Sequence, residues 1–155
     1  MFGTLSEEVE AKVAPSKAWQ LYKSLELGKV VGEHFLEKLE LVEGDGGVGT
    51  VLKLTYKPEY GIPSYKEKFT KIDDENMVKE VEVVEGGFLD NGFSLYRVRF
   101  EVKVNPKDAT GSSSLVRSTI EYELKEEAAS NASLVTMEPL MIVMKVANEY
   151  LVNSS

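Results

Sequence analysis

Between Phe35 and Leu124 the chain repeats one local pattern six times. Apolar and polar residues alternate, and a short turn follows. The alternating segments are Phe35 to Val42, Thr50 to Tyr56, Tyr65 to Ile72, Met77 to Val84, Phe93 to Val104 and Leu115 to Leu124. A period of two places alternate side chains on opposite faces of a strand. The separators "EGDGGVG", "KPEYGIP", "DDEN", "EGGFLDNG" and "NPKDATGSS" are turn sequences rich in glycine, proline, aspartate and asparagine. They are too short to hold the crossover helix that parallel neighbours use, so the strands are expected to run antiparallel.

The flanking segments supply the rest of the architecture. Thr4 to Val13 alternates with Leu5, Val9, Ala11 and Val13 on one face, which reads as a half-buried strand. Pro15 then opens a helix, "PSKAWQLYKSL", with Ala18, Trp19, Tyr22 and Leu25 at helical spacing. A second short helix is expected over Leu27 to Phe35, meeting the first at an angle near Glu26 to Gly28. After the last strand, "KEEAASNASLVTMEPLMIVMKVANEYLV" reads as one long helix carrying Leu134, Met137, Met141, Met144 and Tyr150. Pro139 kinks it or marks its effective start. The expected fold class is α+β. A seven-stranded antiparallel sheet has one face to bury, and the long helix is its natural cover. A sheet curved around a single helix leaves a cavity between the two layers.

Composition narrows the functions such a fold can serve. A chain of 155 residues is one domain in size, residues 1–155, and 43% apolar residues are enough for a core. The formal charge of −8 argues against nucleic acid and against anionic membrane surfaces. No apolar run approaches the ~20 residues of a membrane span. The opening "MFGTLSEEVEAKV" is acidic and alternating, without a signal-peptide core, and there is no cysteine; both suit the cytoplasm. His34 is the only histidine, so no metal site is expected. "GDGGVG", Gly44 to Gly49, lacks the Gly-Lys-Ser/Thr ending of a phosphate loop and joins two strands, which makes it a hairpin turn.

Two strands break the rule that charge faces water. In "SYKEKF", Ser64 to Phe69, Lys66 and Lys68 belong in solvent, so Tyr65, Glu67 and Phe69 turn inward. In "MVKEVEVV", Met77, Val81 and Val83 define the inward face, and Lys79 sits among them. The turn "DDEN" joins the two strands as a hairpin, with Glu67 and Lys79 expected within a few residues of register. An inward carboxylate and an inward ammonium each require a partner. Two readings follow. The residues form an internal salt bridge beside a structural tyrosine, or they are a proton-transfer pair in a low-dielectric pocket. Met137, Met141 and Met144 likewise read as plain core or as the lining of an adaptable pocket.

"EGDGGVGT", "YKEKF", "VEGGFLDNGFSLY" and the long C-terminal helix together resemble the plant Bet v I-like, pathogenesis-related class-ten family over nearly the whole chain. "YKEKF" and "VEGGFLDNG" resemble its norcoclaurine-synthase-like branch, norbelladine-synthase-like relatives included. The resemblance implies a helix-grip fold with two short helices in a V and a large apolar cavity. It implies catalytic roles for Tyr65, Glu67 and Lys79, and substrate contacts from Phe69, Tyr96, Val98, Met137 and Met141. Val98 stands where the norcoclaurine-forming members of that branch carry a catalytic aspartate and where the norbelladine-forming ones resemble this chain in carrying an aliphatic residue. The implied chemistry joins a dopamine-like arylethylamine to an aldehyde, ending at the imine or closing a ring by the Pictet–Spengler reaction, without cofactor or metal. The alternative it implies is a carrier for apolar plant ligands such as a phytohormone, flavonoid or alkaloid. Either protein would be a monomer or weak dimer.

Overall fold

Each alternating segment is a strand in the computed structural model, which describes residues 1–154. In chain order the elements are β1 (Phe2–Ala11), α1 (Pro15–Tyr22), α2 (Glu26–Phe35), β2 (Leu36–Glu43) and β3 (Val51–Tyr56). Then come β4 (Tyr65–Asp73), β5 (Val78–Gly86), β6 (Phe93–Val104), β7 (Ser114–Leu124) and α3 (Glu138–Asn153). The strands form one sheet in the order β1-β7-β6-β5-β4-β3-β2, every neighbouring pair antiparallel. Strands 2 to 7 are thus a meander, and β1 joins its far edge beside β7. No helix among the described residues is long and apolar enough to cross a membrane.

The concave face carries the core. Trp19, Leu21 and Tyr22 of α1 pack with Phe100, Val102 and Val116 of the sheet and with Met144, Ala147 and Leu151 of α3. A second cluster joins Phe93, Ile120, Tyr122 and Leu124 to Val135, which precedes α3. A third, Leu52, Phe69 and Val81, lies across the β3–β4–β5 part of the sheet. The convex face is polar: Arg97 and Arg99 of β6 pair with Glu80 and Glu82 of β5 and Glu121 of β7. Trp19 donates its indole N–H to Asp74 at 2.8 Å, tying α1 to the turn between β4 and β5.

The C-terminal segment is not one long α-helix, and of the two expectations for Pro139 the effective start holds and the kink does not. Glu126–Leu134 is 3₁₀ helix, and the α-helix begins only at Glu138 with Pro139 in its first turn. Proline is tolerated there because its missing N–H would have no helical partner. The inward stripe is Leu140, Val143, Met144, Ala147 and Leu151, whereas Leu134, Met141 and Tyr150 are exposed.

Candidate active site

The polar groups at issue come from adjacent strands. In β4 the inward parity holds: Phe69 is buried, and Tyr65 and Glu67 line a cavity under the sheet. In β5 it brings Lys79 to the same cavity with only 3% of its surface exposed. The hairpin register differs from simple pairing. Glu67 stands opposite Val83 and Lys79 opposite Ile72, with an irregularity between Phe69 and Lys71. The two side chains therefore approach along the strand axis rather than across it. Among the described residues, no ion pair within 4.0 Å joins them.

Lys79 is held by other groups. Its Nζ donates to the carbonyl of Tyr22 at 3.2 Å and stands 3.9 Å from the centroid of the Phe69 ring. Tyr22 is the last residue of α1, where carbonyls lack helical partners and the helix dipole favours a cation. Burial lowers the Lys79 pKa from 10.5 to about 8, and the charge of Glu67 opposes part of that shift. Burial raises the Glu67 pKa, and the charge of Lys79 opposes it. The part of Glu67 that is accessible faces the cavity, so it is desolvated although its surface is not covered. An amine and a carboxyl in this state exchange protons much nearer neutrality than they do in water.

Phenols make up the other polar end. The hydroxyls of Tyr65 and Tyr56 are 2.7 Å apart and their rings 5.7 Å apart. Burial pushes Tyr56 up to about 12 and Tyr65 well above its ordinary value, so both remain protonated donors. Tyr96 stacks on Phe88 at 4.1 Å, nearly parallel, and faces the same cavity. The remaining wall is apolar, from Leu52, Leu54, Val81, Phe100, Ile120 and Val143. The cavity holds about 180 Å³. A neighbouring hollow of about 240 Å³ shares Tyr56, Ile62, Pro139 and Val143 with it and continues outward past Tyr60 and Ile142.

The fold gathers Tyr65, Glu67, Phe69, Lys79, Tyr96 and Val98 around one space. It does not bring Met137 and Met141 there. Met137 packs beside the Phe93–Ile120–Tyr122 cluster, and Met141 is 36% exposed on the outer side of α3. The face of α3 turned to the cavity carries Pro139, Leu140 and Val143 instead. Val98 stands opposite Val81 and adds a second valine to the wall, so no carboxylate is present at that point. Tyr56 joins the site beyond the residues expected from sequence, and it shares one strand parity with Leu52 and Leu54. A phenol at the end of an inward apolar row was the available signal. The Tyr22 carbonyl had no signal, because every residue has one.

A sequence profile of the pathogenesis-related protein Bet v 1 family matches residues 1–154. The chain belongs to this family. Among curated Bet v 1 relatives, norbelladine synthase of Narcissus pseudonarcissus is 43% identical, covering 97% of this chain and 93% of its own length. S-norcoclaurine synthase 1 of Papaver somniferum is 37% identical over 94% of this chain, which spans 64% of that longer protein. Norcoclaurine synthase from Thalictrum flavum, solved in complex with dopamine and hydroxybenzaldehyde, superposes with a TM-score of 0.87 at 31% identity. That match covers 100% of this chain and 89% of the other. The Bet v 1 fold implied by the motif resemblance is therefore the fold observed, and the antiparallel seven-stranded sheet read from alternation agrees with it.

Proposed function

We propose that the cavity condenses an arylethylamine with an aldehyde, either releasing the imine or closing it to a tetrahydroisoquinoline. The observation that carries this reading is that a buried amine and a desolvated carboxyl share one apolar cavity without neutralising each other in a direct ion pair. Imine formation loses water from a carbinolamine, which needs an acid; Lys79 donates to the departing oxygen. Ring closure, where it occurs, ends when a base takes the ring proton; Glu67 is that base. Tyr65 orients a substrate oxygen by hydrogen bond, with its own hydroxyl fixed by Tyr56. Phe69 and Tyr96 flank the aromatic rings. Holding both reactants together in a dry space supplies much of the acceleration. The names and ligands of the similar synthases support the same substrate classes. The valine pair Val81 and Val98 supports release at the imine, since ring closure then has one carboxylate to rely on.

The test mixes the protein with dopamine and 4-hydroxyphenylacetaldehyde, and separately with hydroxybenzaldehyde. Rate and enantiomeric excess are compared for wild type, Lys79→Ala and Glu67→Gln. Loss of one acid–base group is expected to lower the catalysed rate roughly 10²- to 10⁴-fold. If wild type and Lys79→Ala give the same background rate and only racemic ring-closed product, the protein is no such catalyst.

A further inference from the structure

The surroundings of Lys79 satisfy two of its three donor positions. An ammonium has three N–H groups, a neutral amine two and a lone pair. The Tyr22 carbonyl takes one N–H, and the face of the Phe69 ring accommodates a second. No carboxylate lies within 4.0 Å to claim the third position. That position is left to the occupant of the cavity. In the ammonium it is a proton. In the amine it is a nucleophilic lone pair.

We propose that Lys79 is also a covalent nucleophile, capturing the aldehyde as a lysine imine that the substrate amine then displaces. The inference rests on the reading of this cavity as an aldehyde site. The Nζ lone pair forms a bond to the carbonyl carbon, and a proton passes from the now positive Nζ to the carbonyl oxygen to give a carbinolamine. Glu67, which holds its proton above the usual carboxylate range, supplies a proton, and water leaves to give the lysine iminium. The incoming primary amine then adds to the same carbon. The carbon–Nζ bond breaks as Lys79, having received one proton from the substrate nitrogen, leaves as a neutral amine, and the substrate iminium so formed returns its remaining proton to the Glu67 carboxylate. The product is the imine that direct condensation gives, and no oxidant or reductant is consumed. Two observations favour the covalent route. Lys79 is the one buried lysine among the described residues, and a lysine desolvated in an apolar pocket exposes its lone pair at far lower pH than one in water.

The test is reductive trapping. The full chain is incubated with hydroxybenzaldehyde and sodium cyanoborohydride at pH near 8, a range in which burial favours the amine form of Lys79 over that of an exposed lysine. Labelled sites are mapped by peptide mass spectrometry over time. Lys79 is expected to take one reduced aldehyde at least ten times faster than any exposed lysine. Added dopamine is expected to slow that labelling by displacing the imine. Lys79→Arg, checked for native circular dichroism, loses the fast phase alone. Labelling of Lys79 no faster than the surface lysines, or none at Lys79, overturns the proposal. The condensation assay without reductant separates the two readings. Accelerated product with no trapped Lys79 leaves the synthase reading standing and removes the nucleophile. Trapped Lys79 without accelerated product does the reverse.

Discussion

At Lys79 an amine with an ordinary pKa of 10.5 is held at about 8, because burial penalises its charge more than Glu67 compensates it. The unfolded chain therefore binds more protons than the folded one between about pH 8 and 10.5, and stability rises with pH across that window. The gap corresponds to about 3 kcal/mol. Lys79→Met removes the buried charge and also the hydrogen bond to Tyr22, worth about 1 kcal/mol. It also strips Glu67 of the charge that offsets its burial, so the variant is expected to gain no more than about 1 kcal/mol over wild type at pH 7. That advantage shrinks as pH climbs from 8 to 10.5. Thermal unfolding of both proteins across this range measures it, and a difference flat with pH would contradict a desolvated amine. At Tyr56 the effect is on geometry. Tyr56→Phe removes the partner of the Tyr65 hydroxyl at a stability cost of about 1 kcal/mol. It is expected to raise KM for a phenolic substrate several-fold with little change in kcat, which steady-state kinetics would separate. An equal fall in kcat would mean that Tyr56 does more than orient its neighbour.

Among the elements, the hairpin of β4 and β5 depends on two glycines of the "VEGGFLDNG" motif. Gly86 and Gly87 have φ of +76° and +54°, a region that side chains other than glycine rarely adopt. A Cβ on Gly87 would also stand 3.0 Å from the Cβ of Tyr65. Gly87→Ala is expected to destabilise the fold by about 1–3 kcal/mol and to displace Tyr65 from Tyr56. Denaturant unfolding gives the first effect and loss of turnover beyond the loss of folded protein gives the second; a silent substitution would mean that the turn adapts. Alternation alone reveals every strand, because a half-buried sheet imposes it on the side chains. It also identifies Tyr65, Glu67, Phe69 and Lys79 as inward. That Glu67 and Lys79 lie within a few residues of register is legible from the short turn; that Glu67 faces Val83 and Lys79 faces Ile72 is not, since the irregularity after Phe69 shifts the register without leaving a mark in the apolar pattern. In α3 the start at Pro139 is legible and the buried face is not: the apolar stripe is wide, and Met141 and Tyr150 fall on its two exposed edges, with Leu140, Val143, Met144, Ala147 and Leu151 between them.

For the molecule as a whole, the sheet order carries a consequence in time. Strands 2 to 7 pair with chain neighbours, but β1 pairs with β7 from Phe2↔Glu123 to Ala11↔Ser114. Closing so long a loop is entropically slow, and antiparallel folds of this kind take milliseconds to seconds. The meander is expected to assemble first and the two ends of the chain to meet last. Val9→Ala in β1, opposite Val116, should then speed unfolding and leave refolding nearly unchanged in stopped-flow experiments. A refolding rate that falls with stability would put the ends in the nucleus. On this order Lys79 and Glu67 are neighbours early, on a hairpin that is still open to water. The carbonyl of Tyr22 arrives with α1, tethered to β1, and the wall of Ile120 is fixed when β7 is sealed. The amine acquires its unusual character only at the final event of folding, so a chain caught short of that event carries an ordinary lysine.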